Sequence, residues 1–82
     1  MYEVTDKNRR IFFTDKTDAD NYTDFINNGL KVIRIQGRTH YFNNGDRLID
    51  TSYRDTKSYV LITHTGRRIT SINLMKKHLT VI

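Results

Sequence analysis

The stretch KVIRIQGRTHYFNNGDRLID, residues 31–50, alternates β-branched and aromatic residues with polar ones and contains two glycine turn signals, Gln36-Gly37 and Asn44-Gly45. Alternation of this kind is typical of strands with one buried face, and glycine supplies the positive φ that many tight turns need. The pattern therefore predicts a meander of antiparallel strands over residues 31–36, 38–42 and 47–52.

The same pattern continues toward the C-terminus, where Thr65-Gly66 is a further turn signal. It predicts three more strands, at residues 58–63, 67–72 and 78–82. Residues 71–77 allow two interpretations. Ser71 could cap a helical turn that contains Leu74 and Met75, or the preceding strand could continue.

The first thirty residues predict a hairpin followed by a helix. Strands at residues 2–5 and 10–14 are joined by a turn in which Asn8 could adopt the left-handed conformation. Thr17 is the expected N-cap of the helix, and Gly29 is placed to end it. The apolar residues of the helix fall on one stripe, which must pack on a sheet because the helix is short: Ala19, Tyr22, Phe25 and Ile26.

Composition supports a fold rich in strands. The chain has one Ala and one Glu, whereas Thr occurs 11 times and Ile 9 times, so β-branched residues outnumber strong helix formers. We therefore predict an α+β fold in a single small domain, residues 1–82. Its mainly antiparallel β-sheet could curl toward a small open barrel, with one short helix near residues 17–28 packed against it.

Length and residue usage also limit the setting of the protein. The 82 residues include no Cys, so disulfides and thiolate zinc ligands are excluded. No apolar run approaches the roughly 18 residues of a membrane span, and the N-terminus lacks the blocks of a signal peptide. We expect a cytoplasmic protein that does not bind membranes. Asn, Ile, Lys and Tyr are abundant, as A/T-rich codons would encode, which favours a low-GC bacterium or one of its phages.

Motifs for catalysis are missing from the sequence. The three histidines, His40, His64 and His78, are too far apart to form a recognisable zinc motif, and each of the four glycines is isolated, so no phosphate-binding loop is present. The acids near the helix are better explained by capping and the helix dipole than by paired-carboxylate chemistry. We predict that the protein is not an enzyme and uses no metal or other cofactor.

Register arithmetic predicts which side chains of residues 31–50 share a face. A two-residue turn at Asn44-Gly45 puts Phe42 opposite Arg47, and a three-residue loop at residues 36–38 puts Arg34 opposite His40. One face, the expected core, would then carry Ile33, Ile35, Tyr41 and Leu48. The other would carry Val32, Arg34, His40, Phe42, Arg47 and Ile49. This second face could bind nucleic acid through guanidinium groups and an aromatic ring, or it could be a second buried face over which the Arg stems lie.

Charge is distributed unevenly and guides the choice of partner. The formal net charge is +5, with −2 over residues 1–24 and +7 over residues 25–82. A basic surface attracts phosphate, so we predict a module that binds DNA or RNA. The candidate binding residues are the basic and aromatic side chains of the strands and turns: Arg34, Arg38, His40, Tyr41, Phe42, Arg47, Arg67 and Arg68.

A second class of partner fits the same features. A small phage-encoded or mobile-element-encoded protein could bind a host protein or ribonucleoprotein, such as a nucleic-acid-processing enzyme, and inhibit or modulate it. Self-association through an uncovered edge strand is also open, because no Pro in the sequence would block strand pairing.

Overall fold

The computed structural model describes residues 1–80, with side chains described as far as Lys77. In this part of the chain two antiparallel sheets and two helices form an α+β fold, as predicted, and the strands do not close into a barrel. The elements, in chain order, are β1 (Tyr2–Asp6), β2 (Arg9–Phe13), α1 (Lys16–Asn28), β3 (Val32–Gln36), β4 (Thr39–Phe42), β5 (Arg47–Asp50), β6 (Tyr59–Ile62), β7 (Arg68–Ile69) and α2 (Ile72–Thr80).

Strands β1 and β2 form the predicted hairpin, and α1 packs on it. The residue with positive φ in the turn is Lys7, at 55°, rather than Asn8. The N-cap of α1 is Asp15 rather than Thr17, since the Asp15 carboxylate accepts a hydrogen bond from the Thr17 backbone N–H at 2.8 Å. Gly29 ends the helix with φ at 92°, and its N–H donates to the Phe25 carbonyl.

The N-terminal unit has its own small core. Val4, Ala19 and Tyr22 are buried there, and the partly buried residues Ile11, Phe13, Phe25 and Ile26 pack against them. The predicted helix stripe therefore packs on the two-stranded sheet of the hairpin. Burial of this stripe stabilises a helix that is too short to be stable alone.

The remaining strands form one antiparallel sheet in the order β3-β4-β5-β6-β7, which is the predicted meander. A second core lies on one face of this sheet, where Met75 of α2 packs with Leu61 and Ile69. Partly buried Leu48 and Tyr59 complete this core. Each core is small, so the fold depends on a few fully buried side chains.

Helix α2 decides between the two interpretations of residues 71–77. The Met75 backbone N–H donates to the Ser71 carbonyl, and the Ser71 hydroxyl accepts from the Leu74 backbone N–H at 3.5 Å. The helical interpretation is therefore correct, and the single-helix prediction and the strand over residues 78–80 are wrong. The helical conformation is favoured because it buries the Met75 side chain against the sheet. Residues 81–82 of that predicted strand lie outside the described residues.

The turns on either side of β4 differ from the predicted ones. Gln36 pairs with Thr39, so the β3–β4 turn has two residues rather than three. The β4–β5 loop has three residues rather than two: the Gly45 N–H donates to the Phe42 carbonyl, and the Phe42 N–H donates to the Asp46 carbonyl. Only the third loop residue, Gly45, has positive φ, as in a type I turn followed by a bulge.

Asn43 joins the N-terminal unit, which consists of β1, β2 and α1, to the second unit, which consists of the five-stranded sheet and α2. Its side-chain amide donates to the Gly29 carbonyl at 3.0 Å, and its side-chain oxygen accepts from the Lys31 backbone N–H at 2.9 Å. The Asn43 backbone N–H donates to the Lys31 carbonyl. A single buried side chain thus holds the segment between α1 and β3 against the end of β4.

We predict that Leu61→Ala lowers the free energy of unfolding by about 2–5 kcal/mol, because Leu61 is fully buried (0% exposed) and the surrounding structure fills the resulting cavity only in part. The control is Ile35→Ala on β3, where the side chain is 63% exposed and the change should be within about 0.5 kcal/mol. Urea unfolding followed by circular dichroism measures both. Equal effects of the two substitutions would contradict the placement of Leu61 in the core.

Candidate nucleic-acid interface

A row of side chains crosses the five-stranded sheet from β3 to β7. The register pairs Arg34 with Tyr41, Tyr41 with Arg47, Arg47 with Ile62, and Ile62 with Arg68. Residues opposite one another in antiparallel strands share a face of the sheet. We call these five residues the arginine row.

The arginine row lies on the face opposite the core. Leu48, Leu61 and Ile69 alternate with members of the row along their strands, and these three residues belong to the core that contains Met75 of α2. We call the face that carries the row the outer face. By register it also carries a second set of uncharged positions: Gln36, Thr39, Ile49 and Val60.

The three arginines of the row are available for a partner. In residues 1–80, Arg34, Arg47 and Arg68 are exposed and make no ion pair, and no Asp or Glu occupies a strand position on the outer face. Neighbouring strands are about 4.8 Å apart, so successive arginines, which are two strands apart, have Cα atoms roughly 10 Å from one another. The row is therefore a line of positive charge across an open sheet.

Arg34 and Tyr41 form a stack within the row. The guanidinium carbon of Arg34 lies 4.1 Å from the centre of the Tyr41 ring. A cation–π contact at an exposed site contributes about 0.5–1 kcal/mol and favours a position of the guanidinium over the ring. The stack offers a flat surface beside two further positive charges, which is the combination that unstacked bases and phosphates bind.

Six of the eight predicted site residues lie on strands of the five-stranded sheet, and they are divided between its two faces. Arg34, Tyr41, Arg47 and Arg68 lie together on the outer face, whereas His40 and Phe42 lie on the opposite face. The predicted cluster of Arg34, His40, Phe42 and Arg47 is therefore wrong. The β3–β4 turn is one residue shorter than predicted and the β4–β5 loop is one residue longer, so the arginines share a face as predicted but β4 presents its other face beside them.

Arg38 and Arg67 are also separate from the arginine row. Arg38 follows Gly37 in the turn, and its guanidinium donates to the Ser52 carbonyl at 3.0 Å. Arg67 precedes β7, where its carbonyl accepts from the Thr63 backbone N–H. Because neighbouring strand residues point to opposite faces, Arg67 and Arg68 are on different sides of the sheet.

Two similar loops, β4–β5 and β6–β7, fix the register of the strands that carry the arginine row. The sequence pattern did not indicate that these loops contact each other. Residues 64–66 repeat the geometry of residues 43–45, with Gly66 at positive φ and closing hydrogen bonds between Thr63 and Arg67. The Asp46 carboxylate, 1% exposed, accepts from the His64 backbone N–H at 2.8 Å and from the Asn44 amide at 3.1 Å. The His64 ring nitrogen Nδ1 lies 3.2 Å from the same carboxylate.

The junction between the two loops also depends on Gly45. A Cβ at position 45 would lie 3.0 Å from the Cβ of His64. Gly45 is therefore needed both for its φ of 92° and for the close approach of the loops. The signal in the sequence was the glycine at the third position of each loop, but the loops are 21 residues apart and nothing local indicates that they touch.

Comparison of this chain with family models, with curated proteins and with solved structures finds no match. None of the helices in residues 1–80 has the length and apolar character needed to cross a membrane. In the same part of the chain, no three His, Cys, Asp or Glu side chains converge in a way that could hold a metal ion.

We predict that Asp50 contributes to acid sensitivity. Hydrogen bonds from the hydroxyl and the backbone N–H of Ser52, and the nearby charges of Arg38 and His40, lower the pKa of the Asp50 carboxyl from its ordinary value of 3.8. A lowered folded-state pKa gives stability that is present above the unfolded pKa and is lost as the pH falls through the folded one. Asp50→Asn should therefore lose less stability than the wild type between about pH 4 and pH 2.

Urea unfolding at pH 7, 4 and 2.5 measures this difference. The control is Asp55→Asn, because the Asp55 carboxyl makes no hydrogen bond or ion pair within the described residues. The interpretation fails if Asp50→Asn and the wild type lose stability in parallel over this range.

Proposed function

We propose that the protein is a non-catalytic module that binds nucleic acid, preferably a single strand, on the outer face of its five-stranded sheet. The observation that carries the proposal is the arginine row: three arginines without ion pairs in residues 1–80, aligned with Tyr41 on an exposed face. The proposed setting is the cytoplasm, which suits a chain that has no Cys to form disulfides.

Electrostatics provide the first argument. A guanidinium that has no carboxylate partner keeps its full attraction for phosphate, and release of counterions from the nucleic acid drives binding. The acids of the chain are concentrated in residues 1–24, which form the hairpin and the start of α1. Repulsion between those acids and phosphate would orient the nucleic acid toward the sheet.

The shape of the outer face provides the second argument. An open sheet face that carries an aromatic ring and guanidinium groups can support the splayed bases of a single strand. The Arg34–Tyr41 stack supplies a flat group for a base, and half-buried Ile49, Val60 and Ile62 supply apolar surface next to it. Stacking of this kind tolerates any base, so we expect little sequence preference.

We predict that the wild-type protein binds an unspecific single-stranded oligonucleotide at about 50 mM salt and that binding fades by about 200 mM. Three neutralised phosphates on a single strand correspond to a slope of log K against log salt of about −2. Arg34→Glu combined with Arg47→Glu should weaken binding strongly and reduce the size of the slope. Fluorescence anisotropy over a salt series measures both quantities.

We also predict that Arg67 and Arg68 behave differently although they are adjacent, exposed and chemically identical. Arg68→Glu places a negative charge in the arginine row, so it should weaken binding several-fold and reduce the size of the salt slope by at least about 0.7, the contribution of one phosphate on a single strand. Arg67→Glu changes the net charge equally but lies on the other face, and it should keep the wild-type slope. The same anisotropy assay compares the two variants.

Three results would count against the proposal. They are the absence of binding to DNA and RNA at low salt, equal losses in Arg67→Glu and Arg68→Glu, or an affinity that does not change with salt. Affinity for a protein that persists at high salt would instead support the second class of partner, because complexes centred on buried aromatic anchors depend little on ionic strength.

A further inference from the structure

A cleft separates the N-terminal unit from the loop end of the five-stranded sheet. Its volume is about 310 Å³, within the range of small-ligand sites. Phe13 and Tyr22 line it from the N-terminal unit, and Ile33 and Phe42 line it from the sheet. The cleft is distinct from the arginine row, since Phe42 lies on the face opposite the outer face.

The walls of the cleft favour a flat aromatic ligand. Three rings, those of Phe13, Tyr22 and Phe42, line the space, and the centres of the Phe13 and Tyr22 rings are 5.5 Å apart. Aromatic side chains bury a large apolar area and favour offset-stacked or edge-to-face contacts with another planar ring. The walls alone do not distinguish one planar ligand from another.

Polar side chains at the cleft limit the classes of ligand that it can bind. Arg9, Asp18 and Asn21 line it, and in the described residues none of their side chains makes a hydrogen bond or ion pair. Arg9 can only donate, the Asp18 carboxylate can only accept, and the Asn21 amide can do both. Arg9 and Asp18 are exposed and Asn21 is half-buried, so a ligand with both donors and acceptors can bond to all three, whereas a hydrocarbon gains no such bond and a simple anion is repelled by Asp18.

We propose that the cleft binds a guanine base. Guanine offers acceptors at O6 and N7, which suit an Arg donor, and N–H donors on its pairing edge, which suit the Asp18 carboxylate. Adenine has neither the O6 acceptor of guanine nor the N–H donors that lie next to O6 on the guanine pairing edge. Burial and the charge of Asp6 raise the pKa of the Tyr22 hydroxyl above its ordinary value of 10.0, so this lining residue adds no negative charge to the cleft.

The test uses 5′-GMP and 5′-AMP as probes, because they carry the same phosphate and differ in the base. Titrations of both into the isotope-labelled protein, followed by amide NMR shifts, should show GMP binding at the cleft and AMP binding at least tenfold more weakly. Asp18→Asn should weaken GMP binding at least tenfold, since a carboxylate that accepts two N–H donors becomes an amide.

Asp20→Asn is the matched control. Asp20 is on the same helix and carries the same charge, but its carboxylate pairs with Lys16 at 2.9 Å and does not line the cleft. A second pair of variants blocks the space: Ile33→Trp should abolish GMP binding, whereas Ile35→Trp, on the same strand but outside the cleft, should not. Thermal unfolding of each variant checks that it folds.

Equal affinities for GMP and AMP, equal affinities in Asp18→Asn and Asp20→Asn, or no shifts at millimolar GMP would overturn the proposal. The arginine row is tested separately. Arg68→Glu should leave the GMP affinity unchanged while it weakens oligonucleotide binding, so failure of one site is distinguishable from failure of the other.

Discussion

The buried carboxylate of Asp46 connects the β4–β5 loop to the β6–β7 loop, and the register of the sheet depends on this connection. The His64 backbone N–H and the Asn44 side-chain amide donate hydrogen bonds to this carboxylate, and the Nδ1 atom of the His64 ring lies 3.2 Å from it. A buried carboxylate without such partners would be strongly destabilising, so the two loops are constrained to lie together. The third residue of each loop adopts a backbone conformation with positive φ, which favours glycine, and these residues are Gly45 and Gly66.

Through the register of the strands, this local junction determines which side chains share the outer face. Each three-residue loop fixes which residues of its two strands are opposite one another, and a shift of one residue would move every side chain to the other face. Arg47 and Arg68 each come two residues after the last residue of their loop, at equivalent positions. The line of arginines on the outer face is thus a consequence of loop geometry as much as of the strand sequences.

The two units of the molecule have separate cores and different charge. Val4, Ala19 and Tyr22 form one core, and Leu61, Ile69 and Met75 form the other. Asn43 holds the connection between them through side-chain hydrogen bonds to Gly29 and Lys31. Because the cores do not merge, a cleft remains between the units, and the acidic residues of the first unit stay apart from the arginines of the sheet.

The sequence by itself determined the α+β class, the N-terminal hairpin, the helix that Gly29 ends and the meander of the later strands, because these follow from local alternation, caps and turn residues. It also indicated that the arginines of residues 34 and 47 share a face. Local pattern could not decide whether Asn44-Gly45 forms a two-residue or a three-residue loop, and that choice moved Tyr41 to the outer face and Phe42 away from it.

Only the tertiary structure decided the other features. Helix α2 forms because Met75 packs on Leu61 and Ile69, a contact between residues that no local pattern connects. The pairing of Asp46 with His64 joins positions 18 residues apart, and the alignment of Arg68 with Arg47 passes through Ile62 on a third strand. Long-range contacts of this kind depend on how the helices and strands pack against one another. They cannot be predicted from a local sequence pattern, because register and packing are properties of pairs of segments rather than of any one segment.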